Sequence, residues 1–165
     1  MKTFDLSHSD FKTNIGEGLD MILDFFANSA MNSGELAIGS SSKAKVKVVK
    51  DLHFQVNGVM KMIAASTEVA FTATTDDVAA GKEKTFLLVS NGSTTKLVGG
   101  AEAAVGASVD PLEAAIVGFT VLGRVKVANG SASLFDATTT LLDATDITAT
   151  YTNIGLYAPR FSDIM

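Results

Sequence analysis

Alternation of apolar and polar residues is clearest over residues 121–135. The apolar series of this stretch is Val121, Gly123, Val125 and Val127. A two-residue period of this kind is typical of a strand with one buried face, and it places Arg124 and Lys126 on the side facing water. Asn129-Gly130 then supplies the residue pair that most readily forms a tight hairpin turn. The pattern therefore predicts a hairpin, with residues 131–135 as the return strand.

Further short apolar runs with the same period are separated by turn residues. They are residues 44–48, 52–56, 59–63, 69–73, 86–89, 94–98 and 147–152. Asn57-Gly58 predicts a hairpin between the second and third runs, but a strict two-residue loop places Phe54 opposite Lys61. That is a poor pair, so the register stays open. Many short strands with turn signals predict a mainly β protein, an antiparallel β-sandwich or barrel.

A helical period precedes the β region. Over residues 11–31, apolar side chains and one glycine recur at intervals of four and three, with Ser9 or Asp10 as the cap. The series is Phe11, Ile15, Gly18, Ile22 and Phe25. This N-terminal amphipathic helix either covers one face of a sheet, which we favour, or seats as an arm against a neighbouring subunit.

The chain divides into three predicted regions. Residues 1–34 form the N-terminal arm and helix, residues 35–155 the β-rich domain, and residues 156–165 an extended C-terminal tail carrying Tyr157 and Phe161. Within the β-rich domain, the Ala- and Gly-rich residues 101–108 predict a loop over the surface. Asp110-Pro111 then has the form of a helix start, with room for one or two turns before Gly118.

Composition narrows the classes of partner. The 165-residue chain is 47% hydrophobic and 19% charged, with a net charge of −5. An acidic balance disfavours nucleic acid as a partner, and no apolar run approaches the roughly 20 residues that span a bilayer. The absence of cysteine excludes a disulfide framework and thiolate metal sites, and it fits synthesis in a reducing cytoplasm.

Residues able to support catalysis or to bind a metal are sparse. His8 and His53 are the two histidines, and neither has acidic residues at ligand spacing. The acidic pairs Asp76-Asp77 and Asp143/Asp146 lack the spacing of a calcium loop and are typical of solvated turns. Recognised nucleophile and phosphate-binding motifs are absent. We therefore expect no enzymatic activity, no metal and no cofactor.

The order of motifs in the second half resembles small structural proteins of tailed-bacteriophage virions. A hairpin at residues 86–98 is followed by a Gly-x-Val-x-Val strand at 123–127, a Thr-Thr-x-Leu-Asp-Ala turn at 139–144 and an Ile-Thr-x-Thr-Tyr strand at 147–151. The resemblance covers about the last two-thirds of the chain. The linker at residues 109–115 departs from it, being poorer in proline, and its role is left open.

The resemblance implies a location in the virion and a structural function, foremost that of a capsid decoration (cement) protein on the outer shell. The implied partners are the major capsid protein or other virion proteins and further copies of this chain, with a trimer favoured. A tail or fibre component is the alternative. A carbohydrate-binding or adhesion module is a different class, which two tyrosines and no tryptophan disfavour. The candidate assembly contacts are Phe11, Ile15, Ile22, Phe25, Tyr157 and Phe161.

Overall fold

A computed structural model describes residues 28–154, and over this range the protein is mainly β with antiparallel sheets. The strands are β1 (Leu36–Ile38), β2 (Lys45–Val48), β3 (Leu52–Val56), β4 (Val59–Ile63), β5 (Glu68–Ala70), β6 (Lys82–Ser90), β7 (Thr95–Gly99), β8 (Ala103–Ala104), β9 (Thr120–Asn129) and β10 (Ile147–Asn153). A single 3-10 turn, Glu113–Ala115, lies between β8 and β9. All the runs predicted as strands before residue 130 overlap an observed strand.

The largest sheet is organised around β6 and β9. Its order is β10-β9-β6-β7, and β8 pairs with the first residues of β6. The ladder between β6 and β9 pairs Leu88 with Gly123 and Val89 with Val121, so Leu122 is an extra residue in β9. This bulge shifts the alternation of β9: Leu122 is buried and Val121 is half-buried. The prediction that Val125 and Val127 face the core is confirmed.

A second sheet has three strands in the order β1-β2-β5. Contacts join β1 to β10 at one edge and β5 to β7 at the other. Phe71, which follows β5, meets the ring of Phe86 edge to face at 4.9 Å and that of Phe135 at 6.3 Å. Val46, Val48 and several β6 and β9 residues belong to the same cluster, so residues of the two sheets share one buried core.

The hairpin β3–β4 forms a separate small sheet, and its register follows from its turn. Asn57 and Gly58 have φ angles of 49° and 75°, as a two-residue type I′ turn requires. Phe54 therefore pairs with Lys61, the arrangement that looked unfavourable. The stem of Lys61 lies so close to Gly92 that a Cβ there would be 2.8 Å from Lys61 Cε. Because the aliphatic stem of Lys61 packs against Gly92, lysine is tolerated opposite Phe54.

The hairpin predicted after β9 is wrong. Ile147, in β10, pairs with Asn129, and residues 131–134 form no strand, while Phe135 makes only an isolated bridge with Val78. The Asn129 side chain is fully buried and donates hydrogen bonds to the Val78 carbonyl and to the Ser133 carbonyl in the loop that follows β9. These hydrogen bonds hold residues 130–135 as a loop where a return strand was predicted. The loop places Phe135 in the core.

The predicted N-terminal helix does not extend over residues 28–31, which run beside β3. Residues 11–27 of that helix and the C-terminal tail lie outside the described residues. Among residues 28–154, no helix is long and apolar enough to cross a membrane.

Tyr151 in β10 offers a spectroscopic test of this packing. Burial, followed by the nearby Asp143 carboxylate, raises the pKa of Tyr151 to about 12. Because the folded-state pKa is raised above the ordinary value of about 10, the contribution to stability is present below pH 10 and is lost as pH rises toward 12. A Tyr157→Phe variant retains Tyr151 as its one tyrosine.

Absorbance titration of that variant at 295 nm should therefore give a midpoint near pH 12. The Tyr151→Phe variant, which retains Tyr157, is the comparison. A midpoint near pH 10 while circular dichroism still shows the fold would contradict the burial of Tyr151.

Candidate interaction surfaces

Residues 100–119, here called the strap, cross the outer face of the five-stranded sheet. The strap begins where Gly100 N–H donates to the Thr85 carbonyl, 2.8 Å away, and continues through the pairing of β8 with β6. On the same side, the Glu102 carboxylate accepts a 2.6 Å hydrogen bond from Ala79 N–H. Backbone and side-chain bonds together fix this irregular segment against β6.

Glu83 anchors the middle of the strap. Its carboxylate is buried and accepts hydrogen bonds from the hydroxyl and the amide of Ser108, while Lys126 Nζ lies 3.2 Å away. The Ser108 hydroxyl, and then Lys126, hold the pKa of Glu83 below its usual range. A lowered pKa means that this anchor is present above the ordinary glutamate range and is lost as pH falls through the lowered value.

Alternation along β9 predicted that Arg124 and Lys126 face open water, but both side chains have acidic partners. Arg124 forms an ion pair with Asp110 of the strap, and Lys126 pairs with Glu83 beneath it. Both β9 cations are therefore partly covered. The Arg124–Asp110 pair is about two-fifths exposed, so it orients the strap more than it stabilises the fold.

The outer side of the strap is apolar. Leu112 is 81% exposed and Val117 is 75% exposed, and Val105 and Val109 are also exposed. Beside them lies a groove of about 310 Å³. Its lining residues are Gly99, Gly100, Ala101, Val109, Asp110, Leu112 and Ala115. Large apolar side chains this exposed, on a segment fixed to a sheet, are typical of a contact surface.

A second apolar surface lies on the small sheet. Residues 28–31 run antiparallel to β3, with Met31 N–H donating to the His53 carbonyl and Gln55 N–H donating to the Ser29 carbonyl, both at 2.8 Å. Phe54 and its bridge partner Ala30 face the core, so their neighbours face outward. This outward side, here called the methionine face, carries Met31, Met60 and Met62, which are 37%, 51% and 54% exposed.

Three of the acidic residues considered for metal binding, Asp76, Asp77 and Asp143, make structural contacts. Burial raises the pKa of Asp76, while the Thr72 amide donates a 2.6 Å hydrogen bond to its carboxylate. Asp77 accepts from Ala137 N–H, and Asp143 pairs with Lys43. His53 is exposed on the methionine side of β3. Within residues 28–154, no group of three or more acidic, histidine or cysteine side chains is placed to bind a metal.

All six predicted assembly contacts lie outside the described residues. The sequence reasoning missed the exposed apolar side of the strap and the methionine face. Its prediction of a surface loop at residues 101–108 marked the strap, and the single turn at Glu113–Ala115 agrees with the short helix start. For the methionine face, the register that pairs Gln55 with Met60 and His53 with Met62 was the available signal.

Gly100→Ala is expected to loosen the strap selectively. A Cβ at this position would overlap the backbone carbonyl oxygen of Val109, so the two strap segments must separate. Hydrogen exchange should become faster across residues 101–118, while β6 and β9 stay protected. The free energy of unfolding should fall by about 1–3 kcal/mol.

Ala107→Val is the matched control, because it adds more bulk to the same segment at an exposed position. Equal exchange rates in both variants would contradict the close packing of Gly100 against Val109.

Comparison with protein-family models, with curated proteins and with solved structures finds no match for this chain.

Proposed function

We propose that this chain is a structural virion protein that decorates the outer capsid surface and stabilises the shell. The observation that carries the proposal is the strap, which holds Leu112 and Val117 strongly exposed on a segment bound to β6 by several hydrogen bonds. A pre-ordered apolar surface loses little conformational entropy when it binds. Such a surface suits a protein that attaches to a preformed lattice.

The arrangement of the sheets supports the same function. We propose that the two facing sheets form an antiparallel β-sandwich, with the small β3–β4 sheet beside it. The sequence motifs that resemble virion proteins fall mostly on β6, β9 and β10, which build the largest sheet and support the strap. In this proposal the scaffold keeps its shape while the exposed surfaces make the contacts.

The proposed assembly is a homotrimer bound to the major capsid protein. Phe11, Ile15, Ile22, Phe25, Tyr157 and Phe161 stay candidate contacts within the trimer or with the lattice. Burial of apolar area contributes roughly 25 cal/mol per Å², and repetition of a contact around a symmetric shell multiplies its effect through avidity. Modest surfaces on each copy are therefore sufficient for firm attachment.

Electron microscopy of the particle that contains this chain tests the location. Clusters at three-fold or quasi-three-fold positions on a shell are the expected result. Density forming a ring or stalk on a tail would replace decoration by a tail or fibre function. Absence from any particle, together with tight binding on a glycan array, would replace it by a carbohydrate-binding function.

A variant tests the role of the strap. Leu112→Ser combined with Val117→Ser should lower particle occupancy at least roughly 10-fold, because two exposed apolar contacts are lost. The control is Leu134→Ser combined with Leu141→Ser, which changes exposed leucines in the loop before β10. Equal occupancy for the two variants would show that the strap does not contact the shell.

A further inference from the structure

The methionine face is unusual for the outward side of a small sheet. In a sheet with one side packed on a core, the other side is normally polar. Here Met31, Met60 and Met62 form that side together with His53 and Gln55, so half of the six methionines in the chain lie on one exposed surface. Flexible, polarizable methionine side chains adapt to the shape of an apolar partner.

An apolar partner of suitable pattern lies directly before this sheet in the chain. The series Phe11, Ile15, Ile22 and Phe25 recurs at helical spacing and needs an apolar surface to cover it. The chain joins the sheet at Asn28, whose side-chain oxygen accepts a 2.9 Å hydrogen bond from Asn57 N–H. The segment therefore directly precedes, in the chain, the residues that join the small sheet.

The direction of residues 28–31 bears on whether residues 11–26 cover the methionine face of their own copy or that of a neighbouring copy. These residues run antiparallel to β3, so Asn28 lies beside the Asn57-Gly58 turn and Met31 lies further back, beside His53. From Met31 to Asn28 the chain therefore points toward this turn and away from Met62. Covering its own methionine face would require the chain to reverse immediately before Asn28, whereas reaching a neighbouring copy requires no reversal.

We propose that the methionine face of one copy binds residues 11–26 of a second copy. The contact is head-to-tail, and three such contacts related by a three-fold axis close into a ring. The inference rests on the homotrimer of the proposed function and adds its interface. Phe11, Ile15, Ile22 and Phe25 then contact the methionines of the neighbouring subunit, and the strap stays available for the shell.

Cross-linking distinguishes the possible contacts, because the chain has no cysteine of its own. A chain with Met62→Cys is mixed in denaturant with a chain of different mass carrying Ile22→Cys, and the two are refolded together and treated with a short bismaleimide. Each chain has one thiol, so any product containing both masses joins two copies. A strong mixed product is expected. Leu112→Cys, paired with Ile22→Cys, is the control and should give at least roughly 10-fold less.

A chain carrying both Met62→Cys and Ile22→Cys identifies the alternative. If this chain forms only an internal cross-link while the mixture gives no mixed product, the segment covers its own sheet and the proposal is overturned. No product from either sample, with light scattering showing a trimer, also overturns it and leaves the homotrimer of the proposed function standing. A monomer by light scattering overturns both this interface and the homotrimer, and microscopy of the particle then decides decoration separately.

A second measurement does not depend on introduced thiols. Met60→Thr combined with Met62→Thr should raise the dissociation constant of the trimer at least roughly 10-fold, measured by sedimentation. Both side chains are about half exposed, so circular dichroism should show an unchanged fold. Leu112→Thr combined with Val117→Thr should leave the dissociation constant unchanged. Equal effects of the two pairs would overturn the assignment of the interface to the methionine face.

Discussion

Phe86→Ala is expected to lower the free energy of unfolding by about 3–5 kcal/mol, the range for removing a fully buried aromatic ring. Phe86 is 0% exposed and lies in the middle of β6, between the ladders to β9 and β7. Its ring meets Phe71 edge to face, and Phe71 in turn contacts Phe135. The substitution leaves a cavity where both sheets and the loop after β9 converge.

Phe119→Ala is the matched control for the same chemical change. Phe119 is half-buried at the end of the strap, where Lys96 Nζ lies 4.5 Å from its ring centre. Loss of this contact should cost about 1 kcal/mol. Denaturant unfolding measures both variants. A Phe86→Ala cost as small as that of Phe119→Ala would show that the three rings do not form the centre of the core.

Local pattern predicted most of the strands that have an apolar face, but it missed the short strands β1 and β8. The hairpin β3–β4 needed only alternation and an Asn-Gly turn, although the sequence left open its register, which the structure shows to be that of a two-residue loop. The start of β6 was missed, because Lys82-Glu83-Lys84 is charged. Glu83 is buried by Ser108 and Lys126, and Lys84 donates to the Thr75 carbonyl at 2.5 Å. Partners distant in sequence satisfy these charges, and a local window contains none of them.

The two candidate surfaces, the strap and the methionine face, also depend on contacts between residues distant in sequence. Alternation places Met60 and Met62 on one side of β4, but it does not say which side the core occupies. That depends on Phe54, which the rest of the protein buries completely. The strap has no periodic pattern of apolar residues that could predict its position. That position depends on individual contacts such as the Arg124–Asp110 ion pair. Interaction surfaces of this kind become visible only after the packing is known.

Asn129 is the position where sequence and structure disagree most informatively. The chain has three Asn-Gly pairs, at residues 57–58, 91–92 and 129–130, which look alike as turn signals. Asn129 is 0% exposed, however, whereas Asn91 lies at a partly exposed turn. The Asn129 amide nitrogen donates to the carbonyls of Val78 and Ser133, both at 2.9 Å. Its oxygen accepts from the amide and the hydroxyl of Ser131. One side chain thus fixes the loop that carries Phe135 into the core.

Asn129→Ala is therefore expected to lower the free energy of unfolding by about 2–4 kcal/mol, since it removes all four hydrogen bonds of a buried side chain, at roughly 0.5–1.5 kcal/mol each. Asn91→Ala removes two hydrogen bonds at the surface and should cost at most about 1 kcal/mol. Denaturant unfolding compares the two directly. Equal costs would mean that Asn129 acts only as a turn residue, as its sequence first suggested.

Asn129→Asp separates the hydrogen bonds from the volume of the side chain. It keeps the shape but replaces the donating nitrogen by an oxygen that faces the carbonyls of Val78 and Ser133. Burial and the loss of the donor should raise the pKa of the new carboxyl, because its protonated form alone can donate. A raised pKa makes this variant more stable relative to the wild type as pH falls, and less stable as pH rises through it. Unfolding measured between pH 4 and pH 8 should show this gap widening with pH, whereas Asn129→Ala should show a constant gap.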